Sequence, residues 1–410
     1  MSGLPERLHG VAKIAVLRPS AVGDFVFALP ALHALKHAYP AAELVYLGRA
    51  WHAAFLDGRP GPVDRVAVMP PVPGVGAPPD APADAGLVDA FVAGMRAERF
   101  DIVAQMYGGG RHSNPFALRL GGRLSIGARA EGAAALDRWV AHAEPANRRL
   151  ALLEIAALAG ATLPWMAREL APRPADRIEA ARVLPPGLIP TLSPGLSPGL
   201  SPELSPGLPH ALPPGLPPGG GGPLVLLQPG SSDPRRCWPV DRFAAVGDAL
   251  AAAGARVAVN GTAEEAGLVR RVVAGMRRPA IDLAGRLGLG GLCGVLEGAA
   301  LVVSNDTGPL HLALAIGTPA VGIFWHTNLV DGAPLRPSLL RAAVSARVGC
   351  PVCGLDNRAA RCAHQESFVD EVTVDEVAGL ALALLRERGG SARLASGAAM
   401  PVAGGQAVRR

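Results

Sequence analysis

Lysine is almost absent from the chain, and charged residues as a whole are scarce. Lys13 and Lys36 are the only lysines, and charged residues make up 18% of the 410 residues. The net charge of +5 is therefore carried by scattered arginines. Because no dense Lys/Arg block is present, the sequence does not predict a nucleic-acid-binding surface. Hydrophobic residues account for 50% of the chain, which predicts a large buried core and argues against general disorder.

A secretory signal and a disulfide framework are also missing. The first ten residues, MSGLPERLHG, contain no apolar signal region, and five cysteines are an odd number for a set of disulfides. Free thiols suit a reducing compartment. The longest apolar window, around PLHLALAIGTPAVGIFW, is divided by Gly317 and Pro319 into a helix and a strand rather than a membrane span. We therefore expect a cytoplasmic protein.

Strand-like and helix-like segments alternate in both halves of the chain. In the first half, KIAVLRP, ELVYLG, DRVAVMP and FDIVAQMYG have the apolar character of buried strands. The second half repeats the pattern with PLVLLQPG, RVAVNG, LVVSND and PAVGIFW. This alternation predicts an α/β fold with two doubly wound parallel sheets. Such sheets bind ligands beyond the carboxyl ends of their strands, so we expect a cleft between two domains.

Composition divides the chain into four segments. We predict an amino-terminal domain over residues 1–172 and a carboxy-terminal domain over 223–385. Residues 173–222 contain repeats such as LSPGLSPGLSPELSPGL and are predicted to be a Pro/Gly-rich linker or insert. A polyproline II docking site for a partner is the less favoured interpretation of this segment. Residues 386–410 are rich in Gly, Ala, Ser and Arg and are predicted to form a disordered tail.

The segment RPSAVGD lies between the first predicted strand and its helix. Gly23 permits a tight turn there, and Asp24 stands at the start of the helix, where a carboxylate can act as a cap. A carboxylate beside an interdomain cleft is also suited to act as a general base, so both interpretations of Asp24 stay open. The segment lacks the GxGxxG pattern of dinucleotide-binding folds, which argues against hydride chemistry with NAD.

Two further loops have the composition of phosphate-binding sites. QPGSSDPRRCWP follows the first strand of the second half, and Ser231, Ser232 and Arg236 offer it hydroxyl, backbone N–H and guanidinium groups. On its own, this segment would be interpreted as a polar turn. SNDTGPLHLA ends another strand of the same half, and Thr307 and Gly308 lead into a helix whose amino end can hold a diphosphate. Two such loops at neighbouring strand ends favour a phosphate-binding site.

In sequence and in order, RPSAVGD, QPGSSDPRRCWPVDRF, IDLAGR and SNDTGPLHLA resemble the motifs of glycosyltransferase family 9, the heptosyltransferase group. The resemblance covers most of residues 13–385 and leaves out the Pro-rich segment and the tail. It implies a GT-B architecture, in which two Rossmann-like doubly wound domains face a central cleft. The amino-terminal domain would receive the acceptor, and the carboxy-terminal domain would hold the sugar nucleotide.

The resemblance also implies roles for individual residues. Asp24 corresponds to the catalytic base, and Gly23 and Asn114 are expected on the acceptor side. Asp306 is expected near the transferred sugar. The residues expected to bind the donor are Ser231, Ser232, Arg236, Glu265, Ala284, Gly285, Asp306, Thr307, Gly308 and His311.

Several of these assignments have structural alternatives. Glu265, or less favourably Glu264, would contact the nucleoside, but a solvated carboxylate in the first turn of a helix is an equal interpretation. Asp306 could cap its helix, and His311 could belong to a packed helix face. In the IDLAGR segment, relatives line the base pocket mostly through backbone groups, so these contacts do not identify the base.

The function implied is inverting transfer of a heptose or a related sugar from a nucleoside diphosphate, with ADP-heptose expected, to a lipopolysaccharide-core or other lipid-linked saccharide. No cofactor is expected, and peripheral association with the cytoplasmic face of the inner membrane is left open. Two alternatives remain. One is a family 9 transferase that uses a different sugar nucleotide, and the other is a sugar-nucleotide-binding protein without turnover. Sugar transfer that depends on Asp24 would distinguish an enzyme from such a binding protein.

Three cysteines and a histidine cluster late in the sequence. Cys350 and Cys353 form a CPVC pair, eight residues separate Cys353 from Cys362, and His364 follows two positions later. The residue types are those of a zinc site, but the spacing is not that of a standard zinc finger. Reduced structural cysteines are therefore the favoured interpretation, with a metal site as the alternative.

Overall fold

The chain is described by a computed structural model that covers residues 5–144, 146–185, 222–358 and 360–397. These residues form two six-stranded parallel sheets and one short two-stranded pairing. The strands of the amino-terminal half are β1 (Lys13–Leu17), β2 (Glu43–Gly48), β3 (Arg65–Val68), β4 (Val72–Pro73), β5 (Gly76–Ala77), β6 (Ile102–Gln105), β7 (Leu124–Arg129) and β8 (Arg138–Ala141). Its helices are α1 (Val22–Ala38), α2 (Ala50–Leu56), α3 (Ala85–Ala97), α4 (Ser113–Arg119) and α5 (Arg148–Ala157).

The first sheet has the strand order β3-β2-β1-β6-β7-β8, and all neighbouring strands are parallel. In the centre, Val16 of β1 pairs with Tyr46 of β2 and with Ala104 of β6. The central strands are continuous apolar runs because helices cover both faces of the sheet. The chain reverses its winding direction beside β1, which places a ligand crevice beyond the carboxyl ends of these central strands.

The carboxy-terminal half repeats this topology. Its strands are β9 (Leu224–Gln228), β10 (Arg256–Val259), β11 (Ala280–Asp282), β12 (Leu301–Asn305), β13 (Ala320–Trp325) and β14 (Leu340–Ser345), in the order β11-β10-β9-β12-β13-β14. The helices are α6 (Pro174–Val183), α7 (Val240–Ala252), α8 (Ala266–Gly275), α9 (Leu289–Gly298), α10 (Gly308–Ile316), α11 (His326–Gly332) and α12 (Val374–Gly397). The predicted α/β fold with two doubly wound parallel sheets is confirmed.

Helix α6 lies inside the range 173–222 that the sequence assigned to a linker, yet it packs on α9 of the second half. Asp176 of α6 forms a 2.8 Å ion pair with Arg59 in which both side chains are 1% exposed. A Cβ at Gly294 of α9 would overlap the Asp176 backbone, so glycine permits the close approach. Pro174 stands at the start of α6, where proline is favoured. Proline content is therefore a poor guide to where the linker starts.

The last helix, α12, continues to Gly397, whereas the sequence predicted a disordered tail from residue 386. Ala, Leu and Arg are strong helix formers, which accounts for the longer helix. The remainder of the predicted tail, residues 398–410, and the Pro-rich repeats within 186–221 lie outside the described residues. Of the helices that the structure describes, none is both long and apolar enough to cross a membrane.

Candidate functional site

Asp24 lies in the first turn of α1, beyond the carboxyl end of β1. Ala21 occupies the cap position of this helix, so Asp24 is not the cap. The Asp24 carboxylate accepts a 2.9 Å hydrogen bond from Nη1 of Arg148 at Oδ1, and the same oxygen lies 3.6 Å from Nη2 of Arg18. Its side chain is 35% exposed, so a bound molecule can reach the carboxylate.

The start of α1 contacts the start of α10, where the two halves meet. A Cβ at Gly23 would lie 3.7 Å from Cα of Gly308 and from Cδ2 of His311, and a Cβ at Gly308 would lie 3.3 Å from the Val22 side chain. The rings of Phe27 and His311 pack edge to face with centroids 4.6 Å apart. The structure therefore brings the RPSAVGD and SNDTGPLHLA segments together, and the small residues of both allow the approach.

Asp306 follows β12 and has three side-chain partners. Nε2 of His311 lies 2.9 Å from Oδ1, while Nδ2 of Asn328 donates a 3.0 Å hydrogen bond to Oδ2. Nη1 of Arg236 lies 3.3 Å from the same Oδ2, and its Nη2 lies 3.5 Å from Oγ of Ser232. The predicted donor residues of two separate loops thus form one contact network around a buried carboxylate.

The charge state of this network follows from burial and hydrogen bonding. Burial alone would raise the pKa of Asp306, but the hydrogen bond from His311 and the positive charge of Arg236 bring the pKa below its usual range. Burial lowers the pKa of His311, although Asp306 opposes the shift. A lowered His311 pKa leaves the ring neutral at neutral pH. We therefore describe the pair as an Asp306 carboxylate that accepts a hydrogen bond from a neutral imidazole.

The other predicted donor residues lie at the carboxyl edge of the second sheet. Thr307 is the cap residue of α10 and makes no side-chain cap hydrogen bond, and Oγ of Ser231 accepts a 3.3 Å hydrogen bond from the backbone N–H of Asp233. Ser232, beside it, is exposed. The diphosphate-type loops after β9 and β12 are therefore neighbours, because these two strands are paired.

Three loops also converge beyond β9, β10 and β11. The Glu265 carboxylate accepts a 2.9 Å hydrogen bond from the backbone N–H of Thr262, and it lies so close to Gly230 that a Cβ there would overlap it. Gly285 has a φ of +65°, and a Cβ there would lie 3.1 Å from Cα of Ala263. The backbone N–H of Ala284 donates to Asp282. Glu265, Ala284 and Gly285 thus border the same end of the sheet.

Asn114, which was expected on the acceptor side, is hydrogen-bonded within its own part of the fold. Its side chain is fully buried, its Nδ2 donates to the backbone oxygens of Ala128 (3.1 Å) and Ala134 (2.8 Å), and its Oδ1 accepts a 2.7 Å hydrogen bond from Gln105. Both N–H groups and the Oδ1 of Asn114 are therefore hydrogen-bonded within the protein. These bonds fix the loop, and the acceptor-side role of Asn114 stays a prediction.

The loop that contains Asn114 nonetheless borders a cavity. The cavity has a volume of about 420 Å³ and lies at the carboxyl edge of the first sheet, lined by Arg49, Gly74, Gly76, Ala77, Pro78, Pro79, Tyr107 and His112. Arg49 follows β2 and Tyr107 follows β6. His112, two residues before Asn114, is the member of the GGGRHSN segment that lines this cavity.

Three residues of the site were not singled out from the sequence: Arg148, Arg149 and Asn328. Arg149 is 1% exposed, its Nη1 donates a 2.6 Å hydrogen bond to the Gly332 backbone, and burial lowers its pKa to about 10. Both arginines belong to α5, whose sequence predicted only a helix. Their partners in α1 and α11 are distant in sequence, so no local signal identified them.

The cysteine cluster lies in the loop after β14 and includes none of the residues predicted to bind the donor. The structure brings Cys350, Cys353, Cys362 and His364 together, with one potential ligand atom of each within 4.8 Å of all the others. None of the three cysteines is in a disulfide.

Part of the chain is similar to a known family. Residues 202–351 match the sequence model described as glycosyltransferase family 9 (heptosyltransferase). Lipopolysaccharide heptosyltransferase 3 of Escherichia coli is 29% identical over 120 residues, which are 28% of this chain and 35% of that protein. The similarity to this relative thus spans about a third of its length.

Two solved structures share the whole fold. The glycosyl transferase family 9 protein of Veillonella parvula DSM 2008 has a TM-score of 0.67 at 15% identity, over 94% of this chain and 100% of that one. The E. coli ADP-heptose LPS heptosyltransferase II has a TM-score of 0.65 at 18% identity, over 92% of this chain and 99% of that one. At these identities the likeness is one of fold, and the fold is the GT-B architecture.

Proposed function

We propose that the chain is an inverting glycosyltransferase that moves a heptose or a related sugar from a nucleoside diphosphate to a cell-envelope saccharide, because residues 202–351 match the glycosyltransferase family 9 (heptosyltransferase) model. The observation that carries this proposal is the contact between α1 and α10 through Gly23 and Gly308. It puts the accessible Asp24 carboxylate of the acceptor half at the border of the phosphate-type loops of the other half.

The proposed reaction is a single displacement. Asp24 accepts the proton of the acceptor hydroxyl as the hydroxyl oxygen bonds to the anomeric carbon. The bond from that carbon to the diphosphate oxygen breaks on the opposite face, so the configuration inverts. The departing diphosphate gains negative charge, which the amino end of α10 and the Arg236 guanidinium stabilise.

Asp306 is proposed to orient the transferred sugar. Its carboxylate is already fixed by His311 and Asn328, so it loses little conformational entropy when it accepts hydrogen bonds from sugar hydroxyl groups. Arg236 links it to the diphosphate-side loop. A fixed carboxylate one residue before the cap of α10 would therefore align the sugar with the leaving group.

The nucleoside is proposed to bind where the loops after β9, β10 and β11 converge. Glu265 is suited to accept hydrogen bonds from ribose hydroxyl groups, and Ala284 and Gly285 offer backbone groups to the base. The names of the relatives support the finer assignment, since one is an ADP-heptose heptosyltransferase and both of the E. coli proteins act on lipopolysaccharide. We therefore propose ADP-heptose as donor and a lipopolysaccharide-core saccharide as acceptor.

The cavity beside Arg49 and His112 is proposed to hold part of this acceptor, because it lies at the carboxyl edge of the acceptor-side sheet. We propose a cytoplasmic reaction, with the lipid part of the acceptor bringing the protein to the inner membrane.

Thermal unfolding with ADP, UDP, GDP, dTDP and NAD in turn tests the donor. A ligand at 100 times its Kd stabilises the native state by about 2.7 kcal/mol, so ADP should raise the melting temperature and the others should not. Selectivity for UDP, GDP or dTDP would keep the transferase and move the assignment to another sugar nucleotide. Stabilisation by NAD alone would overturn the proposal.

A further inference from the structure

The loop between β14 and α12 brings three thiols and an imidazole together. One ligand atom each from Cys350, Cys353, Cys362 and His364 lies within 4.8 Å of all the others. Zn–S bonds of about 2.3 Å separate the sulfur atoms of a tetrahedral site by about 3.8 Å, so a shift of less than about 1 Å per ligand would complete such a site. Three thiols this close without a disulfide need another reason to be together.

The local backbone also has features of a metal-binding turn. Val352 donates its backbone N–H to Sγ of Cys350 (3.4 Å), and the turn closes with the Gly354 N–H donating to the Cys350 oxygen (2.9 Å). Gly354 has a φ of +72°, which glycine adopts without strain. The Val352 N–H, which is aimed at sulfur, favours a thiolate, the form that binds metal.

The outer contacts of the cluster are polar. Nδ2 of Asn357 lies 3.6 Å from Sγ of Cys362 and is placed to donate to a thiolate. Nδ1 of His364 is buried and has no hydrogen-bond partner among the residues that the structure describes. An orphaned ring nitrogen costs free energy unless a ligand engages it. A bound cation would satisfy it.

We propose that Cys350, Cys353, Cys362 and His364 form a tetrahedral zinc site. Three sulfur ligands and one imidazole fill the coordination shell, which is typical of a structural rather than a catalytic zinc. The site leaves no position for a substrate.

The zinc site would stabilise the loop beside the proposed donor cleft. Oδ1 of Asn357 accepts a 3.2 Å hydrogen bond from Nη1 of Arg235, and the backbone N–H of Phe368 donates to the Arg235 oxygen at 2.8 Å. Ser367 donates to the Cys237 oxygen at 2.7 Å. These contacts flank Arg236 on both sides. Zinc would therefore position the turn that contains Arg236. This positioning role rests on the proposed donor function, whereas the binding of zinc does not depend on that proposal.

Metal analysis of the untagged full chain, purified under reducing conditions, tests the site. We expect about one zinc per chain. Cys353→Ser and Cys362→Ser each remove a ligand and should lower zinc affinity at least about tenfold. Cys293→Ala is the matched control, because Cys293 is a buried thiol of α9 outside the cluster and should keep full zinc content.

A reduced wild-type chain that holds less than about a tenth of a zinc after incubation with excess metal would overturn the site. Stoichiometric iron in place of zinc would overturn the choice of metal. Because the serine variants could fold poorly, cobalt substitution of the wild-type chain provides a second measurement. Intense visible bands with thiolate charge transfer would support a tetrahedral sulfur-rich site, and their absence would contradict it.

ADP affinity of the zinc-depleted and zinc-reloaded wild-type chain tests the positioning role. We expect depletion to weaken ADP binding about fivefold or more, the usual scale of coupling between two sites. Equal ADP affinity in both states would reject the role and leave the site intact. Absence of ADP binding in both states would instead count against the proposed donor.

Discussion

Replacing Asp24 with asparagine is the most direct test of the proposed base. Asparagine has nearly the same shape and keeps an Oδ1 acceptor for Arg148, so the variant removes the negative charge and little else. We expect kcat for sugar transfer to fall about 10²- to 10⁴-fold, the range that a general base contributes. This corresponds to about 2.7 to 5.5 kcal/mol of transition-state stabilisation. ADP affinity should stay nearly unchanged, because Asp24 belongs to the acceptor half.

The expected effect on stability is much smaller. Arg148 is 50% exposed and Asp24 is 35% exposed, and ion pairs of this exposure contribute about 0 to 1 kcal/mol. Arg18 is buried, but its guanidinium also donates to the backbone oxygens of Asp24 and Met106, and the substitution leaves both bonds in place. Asp24 is also the carboxylate that faces the buried Arg18 guanidinium, so the free energy of unfolding should fall by about 1 to 2 kcal/mol.

The assay is transfer from ADP-heptose to a deacylated lipopolysaccharide core, with urea unfolding of the same preparations. Asp331→Asn is the matched control, because Asp331 is the second carboxylate beside Arg148, with Oδ2 3.7 Å from its Nη2. Its loss perturbs the same guanidinium without removing the proposed base. A kcat for Asp24→Asn within about threefold of that of the Asp331→Asn control would refute the base assignment, since a general base supplies far more.

Three further outcomes are expected. Arg236→Ala should weaken ADP binding, measured by calorimetry, about 10- to 100-fold, because a charge-assisted hydrogen bond to phosphate contributes about 1.5–3 kcal/mol. Arg236→Lys should have an intermediate affinity. Equal ADP affinities of the wild-type chain and Arg236→Ala would reject the contact. Asn114→Ala should lower the free energy of unfolding in urea by at least about 2 kcal/mol, because two backbone oxygens lose their hydrogen bonds to its amide. A change in the KM for the acceptor without a change in stability would support the acceptor-side role instead. Burial lowers the pKa of His52 to about 3, so the unfolded chain binds this proton first as pH falls below about 6.5. Stability should therefore drop by about 2.3 kcal/mol between pH 6.5 and 4.5, and His52→Gln should flatten that slope.

Much of the fold could be predicted because its signals are local. Strands β1 and β9 are KIAVL and LVLLQ, and such short apolar runs are typical of strands buried on both faces. The intervening helices carry apolar residues at helical spacing, and alternation of the two types leads to a doubly wound sheet. The limits of helices α6 and α12 were not predicted. Pro-rich or polar composition near a helix end does not reveal whether a neighbouring element will pack against it.

The candidate site could be predicted only in part. Asp24, Arg236, Asp306 and His311 were selected because their residue types and positions suit phosphate and proton chemistry. The partner of the first, Arg148, follows it by 124 positions and was not identified. The hydrogen bonds of Asn114 were not predicted, because its amide is equally able to face a ligand or to bond to the backbone of its own loop.

The sequence by itself determined the order of strands and helices, the loops with phosphate-binding composition and the family resemblance, because each depends on residues close together in the chain. Only the tertiary structure decided which side chains meet. It joined Gly23 to Gly308, Arg236 to Asp306 and three cysteines to His364. Such contacts depend on the packing of whole helices and sheets, and the free energy of that packing is shared among residues far apart in the sequence.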